Sequence, residues 1–236
     1  MIKSFLIHGH VSQILLLSTL VPIVKDRLKN ICSSKNYRSI AISSLILKTL
    51  DWTIILLFGT TLGLEDLQFA YKAKCSTFMC SWLVLETVDY FLRNNTEVFC
   101  CTMDMTKAFD LVKFSVLFAK LVEKKLPLIF IRLLLYMYLN QSANVRWNGE
   151  LSKHFTITNG VKQGMVLSAL LYCLYCSQLM VNLKEKKTGC WINGDYLGIH
   201  SYSDDNLLLS PSLEGLQEML NTCSDYAKEH LSLIHI

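Results

Sequence analysis

The sequence predicts an α+β fold, and three observations carry the prediction. Asn148-Gly149 and Asn193-Gly194 each sit between short apolar runs, which is the strongest short-range signal for a β-hairpin. Long apolar stretches such as 166–182 and 128–139 read as buried helices. A pair of carboxylates, Asp204-Asp205, lies between two apolar runs that read as strands meeting at a tight turn. With 236 residues the chain is long enough for one large domain or two small ones with ample core.

Residues 1–24 are apolar without a clear period, and 25–38 form a basic, polar loop. Residues 40–58 read as a buried helix carrying Lys48 and Asp51, and Gly59 to Gly63 break it. Ser76 or Thr77 caps a helix over 78–93, where Cys80, Leu83, Val84, Thr87, Val88 and Phe91 make one apolar stripe. Glu97 to Met103 is a buried strand that ends in Asp104. Asp110 is expected to cap a helix over 111–124, and 128–139 is the next helix. Asn148-Gly149 joins strands over 143–147 and 153–158, and Asn159-Gly160 opens a loop before the helix of 166–182. Asn193-Gly194 joins Cys190–Ile192 to Tyr196–Tyr202. Ser210-Pro211 starts a last helix with Leu213, Leu216, Met219, Leu220 and Cys223 on one face. There is no internal repeat and no low-complexity linker.

Apolar residues make up 52% of the chain and mean hydropathy is +0.34, which raises the possibility of membrane spans. Two stretches, 4–24 and 163–183, carry no formal charge and are long enough to cross a bilayer. Both contain several polar residues, and the first ends at Pro22, so buried core helices without a membrane are the expectation. The net charge of +4 is too weak to imply nucleic acid by itself. The nine cysteines are odd in number and lie mostly in apolar runs, as free thiols of an intracellular protein do. Cys173-x-x-Cys176 has no second pair nearby to complete a zinc site.

Asp204 and Asp205 have no sequence-local cation, because no Lys or Arg occurs between Lys187 and Lys228. An isolated Asp-Asp pair is most often a solvated turn. The second strand-end carboxylate upstream, Asp104, changes that reading. If the two strands are neighbours, three carboxylates converge at one sheet edge, which is what two divalent ions ~3.5–4 Å apart require for nucleotidyl transfer.

Five segments carry recognisable motifs. Asn36-Tyr37-Arg38-Ser39-Ile40 resembles the motif written NYRPI. Gln68-Phe69-Ala70-Tyr71 through Cys75-Ser76-Thr77 resembles QFGFRxGxST, and Asp104 to Asp110 is similar to DxxKAFD. Asn159 to Ser168 looks like NGVPQGSVLS, and Tyr202-Ser203-Asp204-Asp205 like the YADD box. Each motif alone is weak; five in order, over about residues 20 to 230, are specific, and together they resemble the reverse transcriptase domain of non-LTR retrotransposons, of a jockey-like group.

The resemblance implies a right-hand polymerase fold: a fingers region over 1–96, a palm with an antiparallel sheet over 97–230, and a finger-like hairpin at 140–160. It implies RNA-directed DNA synthesis, with dNTPs added to a DNA primer on an RNA template. Asp104, Asp204 and Asp205 would be the catalytic carboxylates holding two Mg²⁺ ions, with Mn²⁺ a possible substitute. Phe109 would lie under the sugar and exclude a 2′-hydroxyl, and Gln163 would lie against the incoming nucleotide. Lys25 and Arg38 would meet the triphosphate as charge-assisted donors, and Lys107 is a further neighbour of the phosphates. The implied location is intracellular, in a cytoplasmic ribonucleoprotein and the nucleus.

The chain departs from the family pattern at Lys74 (usually glycine), Lys162 and Ala169 (usually proline), Met165 (usually serine) and Ser203 (usually alanine). These departures keep an alternative in view, a decayed or domesticated non-catalytic relative that binds nucleic acid. An integral membrane protein built on 4–24 and 163–183 is a second alternative, and a group II intron or viral-type enzyme is a nearer one. The hexapeptide 231–236 departs from the expected continuation and resembles a non-native tail, so the thumb of such an enzyme is expected to be missing and the fragment itself inactive.

Overall fold

A computed structural model describes residues 2–105 and 108–230. Lys107 and the hexapeptide 231–236 lie outside the described residues. The chain forms two compact units, each discontinuous in sequence. The first takes the N-terminal part up to Leu62 together with Lys113–Ala169, and the second takes Gly63–Val112 and the chain from Leu170 onward. The boundary expected at 96–97 falls inside the second unit.

The first unit is built on a mixed sheet. Strand β1 (Leu17–Val24) pairs antiparallel with β2 (Tyr37–Ile42) and parallel with β4 (Ser142–Trp147). The stretch 4–24, expected as one buried helix, is instead divided between α1 (Ile2–His8), α2 (Gln13–Leu16) and β1. The cause is local. Thr19, Val21, Ile23 and Val24 are β-branched, and Pro22 has no N–H to continue a helix. Asn148 (φ 48°) and Gly149 (φ 86°) both take the left-handed conformation that a type I′ hairpin needs. They join β4 to β5 (Glu150–Leu151), while β6 (Phe155–Thr156) pairs with the start of β4.

Helix α3 (Leu45–Leu62) begins later than expected because β2 occupies 37–42. It is one-sided rather than fully buried: Leu47, Leu50, Asp51 and Ile54 face inward, while Leu45, Trp52, Leu56 and Leu57 are exposed. Helices α5 (Phe114–Glu123) and α6 (Leu128–Leu139) pack against each other through Phe114, Phe118 and Tyr138. Asp110, expected to cap α5, does not stand at its N-cap position. Asp110 lies in a 3-10 turn over Ala108–Leu111, and Lys113 precedes the first turn of α5.

The second unit centres on a three-stranded antiparallel sheet in the order β3 (Phe99–Asp104), β10 (Asp205–Ser210), β9 (Ile199–Tyr202). Helix α4 (Thr77–Arg93) is capped by Ser76, whose hydroxyl accepts the Met79 N–H, and it packs against β9. Helix α8 (Leu213–His230) packs on β10 and β3 with Leu216, Met219, Cys223 and Tyr226 buried. Leu213, expected on that face, is exposed because it stands at the first position of the helix.

Helix α7 (Val166–Glu185) contributes Leu170 to Leu174, Tyr175, Leu179 and Leu183 to the core. Its length and composition would allow a membrane crossing, as would those of α3, but most of α7 is buried within the protein. Asn193 (φ 52°) and Gly194 (φ 93°) form a second tight turn between β7 (Trp191–Ile192) and β8 (Asp195–Tyr196). The strand expected through Tyr196–Tyr202 breaks after β8, and β9 then pairs with β10 instead. All nine cysteines are free.

Candidate active site

The register of the three-stranded sheet fixes the site. Asp205 stands directly opposite Asp104 on β3 and opposite Tyr202 on β9. Two residues further along β10, Leu207 stands opposite Thr102 and His200. Because side chains alternate across a strand, these two rows lie on one sheet face. They line an open hollow of about 470 Å³, which Cys80 of α4 flanks.

Asp104 and Asp205 are exposed at the end of this face, and His200 is buried deeper in it. Burial holds the His200 imidazole down to about 4 and neutral at physiological pH, so it adds no cation to neutralise the carboxylates.

Asp204 occupies the turn itself. Tyr202 and Asp205 pair across a two-residue loop, Ser203-Asp204, and only Ser203 of these two has a positive φ, at 62°. That is the pattern of a type II′ turn, whose first central position favours glycine. Asp204 is half-buried on the side of α7, close enough to Tyr172 and Cys173 to push both groups' pKa values further up, after desolvation as the main cause. Phe109, in the 3-10 turn that follows β3, stacks on the same Tyr172 with ring centroids 4.7 Å apart and planes at 20°. Asp204 and Phe109 therefore share Tyr172 as a neighbour.

The structure thus brings Asp104 and Asp205 face to face and places Asp204 beside them in the turn. Carboxylates directly opposite one another repel. Two such oxygen-donor groups at an exposed rim suit a hard divalent cation such as Mg²⁺. The full convergence expected from the motifs is not in place: among the described residues, no three His, Cys, Asp or Glu side chains lie close enough together to enclose a metal ion. Of the two turn carboxylates, Asp205 is the one that faces Asp104.

Lys25, Arg38 and Gln163 belong to the first unit. Lys25 and Arg38 are exposed at the end of the β1–β2 pair, where Arg38 stands opposite Ile23 and the Lys25 N–H donates to the Asn36 carbonyl at 2.9 Å. Strand alternation puts both basic side chains on one face. Gln163 lies in the loop before α7, and its carbonyl accepts the Ala41 N–H of β2 at 2.7 Å. Lys162 is turned inward, where its Nζ donates to Ser18 Oγ at 2.7 Å and to the Leu16 carbonyl at 3.2 Å. Burial lowers its pKa to about 8, although the Asp51 carboxylate opposes the shift.

One residue that the sequence reading passed over as a motif letter is central here. Gln68 is 1% exposed, and its carboxamide reaches the turn that carries Asp204. The only trace of this in the sequence is a polar residue opening an apolar run, Gln68-Phe69-Ala70. Lys74, where the family usually has glycine, takes φ 64° all the same, so the conformation is kept without the residue that adopts it freely.

An antiparallel sheet whose paired strand ends present carboxylates, flanked by helices, is the palm of a right-hand polymerase fold. Comparison with solved structures agrees on the fold. A telomerase from Candida albicans, solved in complex with a TWJ fragment of telomeric RNA, superposes with a TM-score of 0.62 at 13% identity, covering 95% of this chain and 42% of that one. The family model "Reverse transcriptase (RNA-dependent DNA polymerase)" matches residues 24–235, and the chain belongs to that family.

Among curated proteins, the chain is 29% identical over 124 residues to the Pol polyprotein of the type-1 retrotransposable element R2 of Nasonia vitripennis, covering 52% of this chain and 12% of the relative. It is 20% identical over 192 residues to that of the type-2 element R2DM of Drosophila melanogaster, covering 81% and 18%. The chain therefore spans less than a fifth of the length of these two relatives.

Proposed function

We propose that this chain is the fingers and palm portion of an RNA-directed DNA polymerase from a non-LTR mobile element, of the jockey-like group by its motifs. The observation that carries the reading is the cross-strand pairing of Asp104 with Asp205 at the rim of a three-stranded antiparallel sheet. The second unit would be the palm and the first unit the fingers. The substrates would be dNTPs, a DNA primer and an RNA template. The retrotransposon relatives and a neighbour solved with RNA support nucleic-acid partners. The work would take place inside the cell, in a cytoplasmic ribonucleoprotein and the nucleus.

Asp104 and Asp205, with Asp204 from the adjoining turn, would hold the divalent ions. When bound, those ions supply charge neutralisation and a lowered pKa at the primer 3′-hydroxyl. Phe109, steadied by its stack on Tyr172, would limit the room beneath the sugar. The exposed Lys25 and Arg38 would meet triphosphate oxygens, with Arg38 able to make two parallel hydrogen bonds. Gln163, whose carbonyl is fixed on β2, would offer its side chain to the nucleotide.

Primer extension on an RNA template, with dNTPs and Mg²⁺ or Mn²⁺, tests the reading in the longest protein that contains this chain. Extension should fall at least about 10²-fold in Asp104→Asn, in the range seen when a group stabilising transition-state charge is removed. Extension that Asp104→Asn leaves unchanged would exclude the polymerase reading. No extension by the wild type, together with nucleic-acid binding that Asp104→Asn leaves unchanged, would leave the decayed, nucleic-acid-binding alternative.

A further inference from the structure

The turn that carries Asp204 and Asp205 is strained at Ser203. A residue with a side chain at φ 62° is strained and persists where its surroundings over-determine it. Gln68 supplies that determination. Its Oε1 accepts the Ser203 N–H at 3.0 Å and the Ala70 N–H at 3.0 Å, and its Nε2 donates to the Ser203 carbonyl at 3.4 Å. One buried carboxamide thus satisfies both peptide groups of the single strained residue. Flipping the amide would set its NH₂ against two N–H donors, so only one orientation fits.

The segment bearing Gln68 is itself tied to β9. The Ser201 N–H donates to the Leu67 carbonyl and the Phe69 N–H to the Ser201 carbonyl, both at 2.9 Å. On the far side of the turn, Asn206 Nδ2 donates to the Asp204 carbonyl at 3.0 Å. The backbone around both carboxylates is therefore held by two buried amide side chains, Gln68 and Asn206.

We propose that Gln68 is a positioning residue: it fixes the Ser203-Asp204 turn and thereby the alignment of Asp205 and Asp204 with Asp104. This rests on the polymerase reading for its functional meaning. A site of paired carboxylates tolerates only about 0.5 Å of looseness before its ligand geometry degrades. Partners that orient metal ligands without touching the metal typically change affinity about 10–100-fold when replaced.

The test uses the full chain with Mn²⁺ as probe and two readouts, amide hydrogen exchange and Mn²⁺ affinity by electron paramagnetic resonance. Gln68→Leu, similar in volume but without hydrogen bonds, should speed exchange within 199–208 while α7 and α8 keep their protection, and should weaken Mn²⁺ binding about 10–100-fold. Gln68→Glu keeps an acceptor for the Ser203 N–H and should restore protection at that amide.

Unchanged exchange at Ser203 in Gln68→Leu would overturn the proposal. So would protection lost across α7 and α8 in both variants, which would mark a general structural role. A wild type whose Mn²⁺ affinity is indifferent to Asp104→Asn would sink the polymerase reading instead, and the exchange result would still decide the role of Gln68.

Discussion

The turn at Ser203-Asp204 in the second unit and the loop 159–165 in the first are both held tightly, by different means. At the turn, a residue with a side chain adopts a left-handed φ, and a distant buried side chain, Gln68, stabilises it. In the loop, Gly164 adopts φ +105° freely and approaches β2 so closely that an added Cβ would lie 2.9 Å from the Ala41 carbonyl oxygen. The adjacent tie is backbone to backbone, from the Ala41 N–H to the Gln163 carbonyl. The loop is secured by what one residue lacks, the turn by what another supplies. Substitutions should therefore act locally in the loop and at a distance in the turn.

The largest stability effect expected from this contrast is at Gly164. Gly164→Ala combines backbone strain with a clash against a carbonyl that cannot swing away, and should destabilise the chain by about 1–3 kcal/mol in urea unfolding. Little or no change would mean that the loop shifts off β2.

Asp51 gives the next effect. It accepts the Leu167 N–H at the start of α7 at 3.1 Å and is 2% exposed, and burial raises its carboxyl from the ordinary 3.8 to about 6. A folded-state pKa above the unfolded one means that the folded form holds the proton more tightly. The stability this contributes is present below pH 3.8 and lost as pH rises through about 6. Asp51→Asn keeps an acceptor for Leu167 but does not titrate. Relative to it, the wild type should lose stability between about pH 4 and 6; a pH-independent difference would contradict this assignment. Lys162 acts in the opposite limb, because its lowered pKa gives stability that is present above 10.5 and lost as pH falls through about 8.

Smaller effects sharpen the turn. Ser203→Gly removes the strain at φ 62° and should leave stability within about 1 kcal/mol, because relief of strain and the greater freedom of the unfolded chain offset each other. A thermal melt that drops further would show that the Ser203 side chain holds the turn. Smallest is Tyr71→Phe. The Tyr71 hydroxyl lies 3.4 Å from Ser203 Oγ at an exposed position, and its loss should change Mn²⁺ affinity less than twofold, at the low end of hydrogen-bond energies.

Much of this architecture was legible in local chemistry. Asn148-Gly149 and Asn193-Gly194 marked real tight turns because only a few residues take positive φ readily. Leu128–Leu139 was legible from the length of its apolar run, and the stripe of α4 from its period. The acidic turn between β9 and β10 was legible because apolar runs flank it. What could not be read was set by partners far along the chain. Whether Asp204 or Asp205 faces Asp104 depends on register, and a shift of one residue exchanges the faces. Gln68 lies 135 residues from Ser203 and no periodicity links them. The stretch 4–24 misled because apolar content alone does not separate helix from strand, and the β-branched run with Pro22 decided it locally.

The central claim is that the end of β3 and the β9–β10 turn form one metal-binding rim, and local oxidative cleavage tests it most directly. With Fe²⁺ in place of Mg²⁺, and ascorbate and peroxide added, backbone cuts mapped by mass spectrometry should fall beside both Asp104 and Ser203 to Asn206, and excess Mg²⁺ should suppress them together. Cuts at only one of these segments, or at neither, would contradict the account.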